Sequence, residues 1–463
     1  MTSHSFKFIL IYCVLLYETK MCQCKADDIT IMDMVTPINA SLSAFYKRSF
    51  AYYTVKDRLP RILTQTIDIL VRHKDNIGDE YGKEAKEELK TVIGEMSKLK
   101  YEIQTNKTMR NIETDAPDAQ FYNEYLAKQT NITYFSAIWL HTECYMYRRL
   151  RETFELTTHL KTYDPFRVQK QESFANSSEP MAQLGAYVLK LLNNASETKN
   201  TKEEFIKLLK LNLWGNKCDL SFTNGVVEDA GDPFQMLTNL ESYILSDDSE
   251  KVWEAVSDLG HESQIIDIVV DNAGYEAFTD LCIADFIVSN GLAQSMRLYV
   301  KAIPWFVSDL MVFDFNWTLE QLRKSDDDNL RELGARWTDY VKNKVWTVVE
   351  DDFFTYPVDY SYMAEVRPKL YKQLSEAKFI IFKGDLNYRK LFGEKNWDPT
   401  TPCNVALQGF GPSKLCTLRT VKCHVICGLN GSVANRMERA EPNWMETGNY
   451  GLIQYTDKIN PLA

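Results

Sequence analysis

Several well-known catalytic signatures are missing from this 463-residue chain. It has no Gly-x-x-x-x-Gly-Lys-Ser/Thr loop, no Gly-x-Gly-x-x-Gly turn and no Gly-x-Ser-x-Gly elbow, so nucleotide cradling and serine-elbow hydrolysis are unsupported. Histidine is sparse. The six residues His4, His73, His141, His159, His261 and His424 are scattered, with no His-Glu-x-x-His or Cys-x-x-Cys pair, which disfavours zinc. Positive charge is also short: 53 Lys plus Arg face 64 Asp plus Glu, a net charge of −11. That balance argues against nucleic acid as the main ligand, since phosphate backbones are gripped by basic surfaces. A small anionic substrate stays open, because a few local cations overrule the overall field. No apolar run reaches the about 18 residues needed to span a bilayer. No internal repeat or low-complexity tract occurs.

What is present fits a globular protein, with 45% hydrophobic and 25% charged residues and a heavy load of Tyr and Phe. Cys144, Cys218, Cys282, Cys416, Cys423 and Cys427 sit within apolar patterns. This reads as a reduced, cytoplasmic protein more than a disulfide framework. The first residues leave a second reading open. Phe8 to Tyr17 is apolar and follows Lys7, as in a secretory leader, although its basic flank is thin and a small-residue cleavage site is lacking. Asn-x-Ser/Thr sequons at Asn131 and Asn194 matter only if the chain is secreted.

Three segments follow: an extension (1–40), a helical domain (41–223) and an α/β domain (224–463) expected to bind metal and phosphate. In Lys83 to Ile103 the apolar residues Ala85, Leu89, Val92, Ile93, Met96, Leu99 and Ile103 recur at helical spacing. Asp57–Val71, Ala137–Phe154, Pro180–Leu192 and Lys202–Leu213 read as further helices, joined by polar connectors at Gln104–Thr133 and Thr158–Ser178. The character changes at the Gly-, Asp- and Pro-bearing stretch Asn224–Pro233. Ile265–Val270 is a β-branched run typical of a buried strand, followed by a helix at Glu276–Ser289 and a strand at Arg297–Ile303. This βαβ unit requires a parallel pair. Lys378–Phe382 and Leu415–Cys427 predict two more strands. The expected fold is α/β, an α/β/α domain with a mainly parallel sheet packed against an N-terminal all-helical domain.

Parallel sheets bind ligands beyond the carboxyl ends of their strands. The first strand ends in Asp271 and Asn272, the second leads to Asp309, and the third leads through Lys383 to Arg389. Asp271, Asn272 and Asp309 offer only oxygen, a set suited to Mg²⁺ or Mn²⁺. The plain alternative is an Asx-turn or helix cap. Lys383, Arg389, Arg419 and Lys422 suggest a phosphate clamp, or else a solvated rim. Arg419 and Lys422 point to opposite faces in a regular strand, so both serve one site only if the strand bulges or ends there. Asp314 in Asp314-Phe315-Asn316-Trp317-Thr318 faintly echoes an aspartyl-phosphatase signature whose second acid is absent. Asn216 and Asp219 are candidates to line the cleft between the two halves.

The motifs Lys56-Asp57-Arg58-Leu59-Pro60, Trp214 to Ser221, Asp271-Asn272-Ala273-Gly274-Tyr275-Glu276, Trp305 to Asp309, Lys383 to Leu391 and Arg419-Thr420-Val421-Lys422 occur in this order. Together, over about residues 50 to 457, they resemble the eukaryotic damage-control phosphatases, and the Arg-Thr-x-Lys motif resembles that of their subfamily III. The resemblance implies that Asp271, Asn272 and Asp309 hold a divalent metal and form the catalytic centre. It implies substrate contacts from Asp385, Leu386, Asn387, Tyr388, Arg389 and Lys422, with Glu276 beside them and Arg58 in the cleft. Implied substrates are sugar phosphates such as fructose 1-phosphate and fructose 6-phosphate, with Mn²⁺ favoured and Ni²⁺, Co²⁺ or Mg²⁺ as alternatives. Attack by water is favoured over attack by Asp271, which is committed to the metal. The same subfamily has also been described as S-adenosylmethionine-dependent methyltransferases of protein glutamate. Under that reading Asp271, Asn272, Glu276 and Asp309 contact the cofactor, and the chain has a protein substrate.

Overall fold

A computed structural model describes residues 31–129, 131–193, 200–215, 233–260 and 263–457. The leader segment Phe8–Tyr17, Cys218, the sequon at Asn194, and Asn216 and Asp219 lie outside the described residues, as does most of Asn224–Pro233.

The apolar runs build a seven-stranded sheet: β1 (Ile244–Asp247), β2 (Ile265–Val269), β3 (Ser295–Val300), β4 (Trp346–Glu350), β5 (Phe379–Lys383), β6 (Leu415–Thr420) and β7 (Gly451–Thr456). Their order is β1-β7-β6-β5-β2-β3-β4, parallel throughout except for the antiparallel β6–β7 pair. From β2 the chain builds outward through β3 and β4, then returns to the other side of β2 with β5. The winding reverses between β2 and β5, the place where open parallel sheets form a ligand crevice.

Strand alternation divides the apolar side chains between two cores. Ile266, Ile268, Met296, Leu298, Phe379 and Ile381 face one core, which is completed by the helices Ser178–Asn193, Thr201–Trp214 and Tyr275–Ser289. Val269, Tyr299, Ile380 and Phe382 face the other. There they meet the helices Leu59–Arg72, Lys83–Gln104 and Trp139–Glu155, so the helical part shares one continuous core with the sheet. Tyr275–Ser289 buries every residue from Tyr275 to Ile287, the pattern of a helix enclosed on all sides.

Three expectations need correction. The strand predicted over Leu415–Cys427 ends at Thr420, because the following residues leave the ladder to loop over the sheet's carboxyl edge. The connectors read as polar contain the helices Ala119–Ala127 and Arg167–Asn176, each held by a few buried side chains in a mostly polar segment. The strands β1, β4 and β7 were not predicted. β1 and β4 are the sheet's edges, where one flank lacks a partner and the apolar signal weakens. Among the described residues no helix is long and apolar enough to cross a membrane.

Candidate active site

β2 delivers Asp271 and Asn272 to the crevice. Gly274, at φ +73°, then turns the chain into the helix Tyr275–Ser289. The loop after β3 folds back antiparallel against this tip. Leu310 N–H donates to the Asp271 carbonyl (2.8 Å), Ala273 N–H donates to the Ser308 carbonyl (2.8 Å), and Asn272 bridges Asp309. Making this return puts Phe306 and Val307 at φ +43° and +72°. For a β-branched valine that backbone is strained, a feature that concentrates at functional sites. Its result is the pairing of the Asp309 and Asp271 loops.

Hydrogen bonds fix the amide between them. Ser308 Oγ donates to Asn272 Oδ1 (2.6 Å), while Asn272 Nδ2 donates to Glu276 Oε2 (2.7 Å) and Asp271 Oδ2 (3.0 Å). Lys301, which the sequence reading missed, reaches under the tip to the Val270 carbonyl (3.2 Å) and Asp309 Oδ2 (3.3 Å). From β5, Gly384 opens the helix Gly384–Phe392 at φ +82°, with the Asp271 carboxylate packed directly against it. A Cβ on Gly384 would lie 1.9 Å from Asp271 Oδ2, so only glycine leaves room for that carboxylate.

Asp271, Asn272 and Asp309 line one cavity together with Asp385, Leu386, Arg389 and Lys422. Its other wall comes from the helical part, with Arg58, Ile62, Trp139, Glu143 and Tyr147, and Phe306 completes it. Arg58 ends a π-helical turn, Thr54–Arg58, a distortion frequent at functional sites. Arg389 is buried, held by Glu394 (2.6 and 2.8 Å) and Glu143 (2.5 Å) and stacked on Trp139. Burial works against its charge, but the two carboxylates outweigh it and keep Arg389 protonated. Burial likewise pushes Asp385 up, yet Arg419, Arg389 and Lys422 together hold its carboxyl below the usual range.

Not every residue singled out from sequence reaches the cavity. Lys383 is fully buried between Glu276 (3.1 Å) and Asp280 (2.9 Å) and also donates to the Asn212 carbonyl. Arg419 is buried on Asp385 (2.7 Å) and the loop carbonyls of Val425 and Cys423. Because β6 stops at Thr420, Lys422 can line the cavity while Arg419 braces Asp385 from below. Asn387 ties β2 to the Gly384 helix through the Val269, Val270 and Lys383 carbonyls and accepts from Tyr360. Tyr388 lies under Arg419 and contacts Cys427. Glu276 touches the site through Asn272. Asp314 is remote, capping its own helix and paired with Lys170. Sequence reasoning missed Glu143, Glu394 and Lys301; Glu143 shares its helix with Glu152 and Glu155, so nothing local marks it out.

The donor chemistry fits a hard cation: two carboxylates and an amide oxygen meet at one tip. Among the described residues no three His, Cys, Asp or Glu side chains are grouped to hold a metal, so an ion here would rest on Asp271, Asp309, the Asn272 amide and water. The cations across the cavity suit a phosphate ester.

Residues 54–437 match the family described as the Damage-control phosphatase ARMT1-like domain. The chain is 39% identical to Damage-control phosphatase ARMT1 of Danio rerio over 432 residues, covering 90% of this chain and 96% of the relative. It is 38% identical to the Homo sapiens protein of that name over 436 residues (90% and 98%) and 40% identical to the Xenopus laevis protein over 437 (90% and 99%). Spanning nearly the full length of each relative, this chain belongs to the ARMT1-like damage-control phosphatase family.

Proposed function

We propose that the chain is a divalent-metal-dependent phosphatase of small phosphorylated metabolites. Sugar phosphates such as fructose 1-phosphate and fructose 6-phosphate are its substrates, and Mn²⁺ is the favoured ion. One observation carries the reading: hard oxygen donors and phosphate-matching cations share a single cavity at the switch point of the sheet. Asp271, Asn272 and Asp309 would hold the ion, which when bound supplies charge neutralisation at the phosphoryl group and a more acidic water. Lys422 and the unused N–H groups of Arg389 stabilise the phosphoryl oxygens, whose negative charge is exposed as the ester bond breaks. Arg389 arrives already ordered by Glu143 and Glu394, so little is lost in reorganising it on binding. Ser308 and Glu276 keep the Asn272 amide oriented, and Lys301 keeps Asp309 in place. Asp385, held ionised by Arg419, accepts a proton-bearing partner from substrate or attacking water.

The test is phosphate release from a panel of sugar phosphates by the full chain, with Mn²⁺, with Mg²⁺ and with EDTA, beside Asp271→Ala. Metal-dependent release that disappears in the variant supports the reading. A folded, metal-loaded protein that releases nothing rejects it. Methyl transfer from S-adenosylmethionine to protein carboxylates under those conditions would put a methyltransferase in its place.

A further inference from the structure

Arg389 has more carboxylate than it needs. Glu394 already binds it through two parallel N–H···O bonds of 2.6 and 2.8 Å, which neutralises the guanidinium. Glu143 adds a second carboxylate to the same cation, leaving one surplus negative charge. The Glu143 side chain is only 4% exposed, and a surplus buried carboxylate is costly unless donors meet it. Its Oε2 accepts from Arg389; among the described residues nothing donates to Oε1. Glu143 lines the same cavity as Asp271, Asn272 and Asp309, from the 17-residue helix Trp139–Glu155.

Resting on the phosphatase reading above, we infer that Glu143 is a specificity-determining residue whose Oε1 accepts hydrogen bonds from hydroxyls on the carbon body of the substrate. The ligand class that satisfies both walls is a polyhydroxylated phosphate monoester. Its phosphoryl group lies toward Arg389 and Lys422, and its hydroxyls donate to the Glu143 carboxylate. A substrate without hydroxyls leaves Oε1 buried and unmet. This is the asymmetry by which a site built for a hydroxyl rejects an analogue that lacks one.

Calorimetric binding of the non-hydrolysable phosphonate analogue of fructose 1-phosphate and of inorganic phosphate, each with Mn²⁺ present, tests this on the full chain and on Glu143→Gln. The amide keeps an oxygen for Arg389 but removes the charged acceptor. The analogue should bind wild type more tightly than phosphate does, and the variant should lose about 10- to 100-fold of that preference. Steady-state turnover gives a parallel readout, in which KM for the sugar phosphate rises relative to KM for phenyl phosphate. Equal losses for both ligands would show that Glu143 acts only by holding Arg389, and would overturn the inference. So would an unaltered preference in a variant that folds. If wild type binds neither ligand, the phosphatase reading falls and this inference with it. If wild type hydrolyses sugar phosphates but the preference does not move, only the inference falls.

Discussion

Gly384→Ala isolates the packing of one carboxylate. The added Cβ would lie 1.9 Å from Asp271 Oδ2, 2.2 Å from its Cγ and 2.9 Å from its Cβ, so the whole side chain is in the way. Restoring an ordinary 3.4 Å contact moves the Asp271 carboxylate by about 1.5 Å relative to the helix Gly384–Phe392. A misplacement of about 1 Å in catalytic geometry costs roughly 100-fold in rate, so kcat/KM for phosphate release should fall at least about 100-fold. Backbone strain adds a separate effect, since alanine at φ +82° costs about 1–2 kcal/mol of stability. Gly291→Ala is the control. Gly291 has φ +66° with nothing within 4 Å of its Cβ position, so it carries the strain without the clash. Both variants should lose stability by urea denaturation, Gly384→Ala the more because the clash adds to the strain, and only Gly384→Ala should lose turnover. Near wild-type turnover in Gly384→Ala would refute the claim that the Asp271 carboxylate must sit where it does. So would an equal loss of turnover in Gly291→Ala.

Lys422→Ala should lower kcat/KM by about 10- to 100-fold with an unchanged circular dichroism spectrum; unaltered kinetics would remove Lys422 from phosphate recognition. Lys383→Met leaves Glu276 and Asp280 buried without their shared cation and should cost about 3–5 kcal/mol in urea unfolding. Adding Asp280→Leu should recover part of that loss, and strict additivity of the two changes would argue against the network. Burial pushes His141 down to about 3, and neither ring nitrogen has a hydrogen-bond partner. The unfolded chain protonates this histidine near pH 6.5 while the folded one does not, so stability is lost as pH falls from about 6.5 towards 3. At pH 5 the loss is about 2 kcal/mol. Relative to wild type, His141→Phe should therefore gain about that much on going from pH 7.5 to pH 5 in denaturant titrations, and a pH-independent difference would contradict it.

Much of the scaffold was legible because its signals are local. The helical face of Ala85, Leu89, Val92, Ile93, Met96, Leu99 and Ile103 predicts a helix that the structure carries over Lys83–Gln104, burying all of them but Ile93. A contiguous β-branched run identifies β2, and mostly apolar runs identify β3 and β5, because central parallel strands are buried on both faces. The edge strands lack that signal, and β7 mixes Gly and Gln with its apolar residues. The strand tips were legible too: Asp271, Asn272 and Asp309 do meet, as strand ends in a parallel sheet should.

By itself, then, the sequence determined the main helices of its first half, the central strands β2, β3 and β5, that the sheet is mainly parallel, and which chemistry-bearing residues lie at its carboxyl edge. Periodicity and side-chain volume act over a few residues, so they can be read along the chain. Only the tertiary structure decided which of those residues face the cavity. Lys383 and Arg419 belong to the same motifs as Arg389 and Lys422, yet both are consumed in buried ion pairs with Asp280, Glu276 and Asp385. Glu143 reaches the site from a helix 246 positions away from Arg389. Pairings over such separations depend on how two cores pack against one sheet. No local pattern encodes that distance, so the opposite wall of the cavity emerges only when the chain is folded.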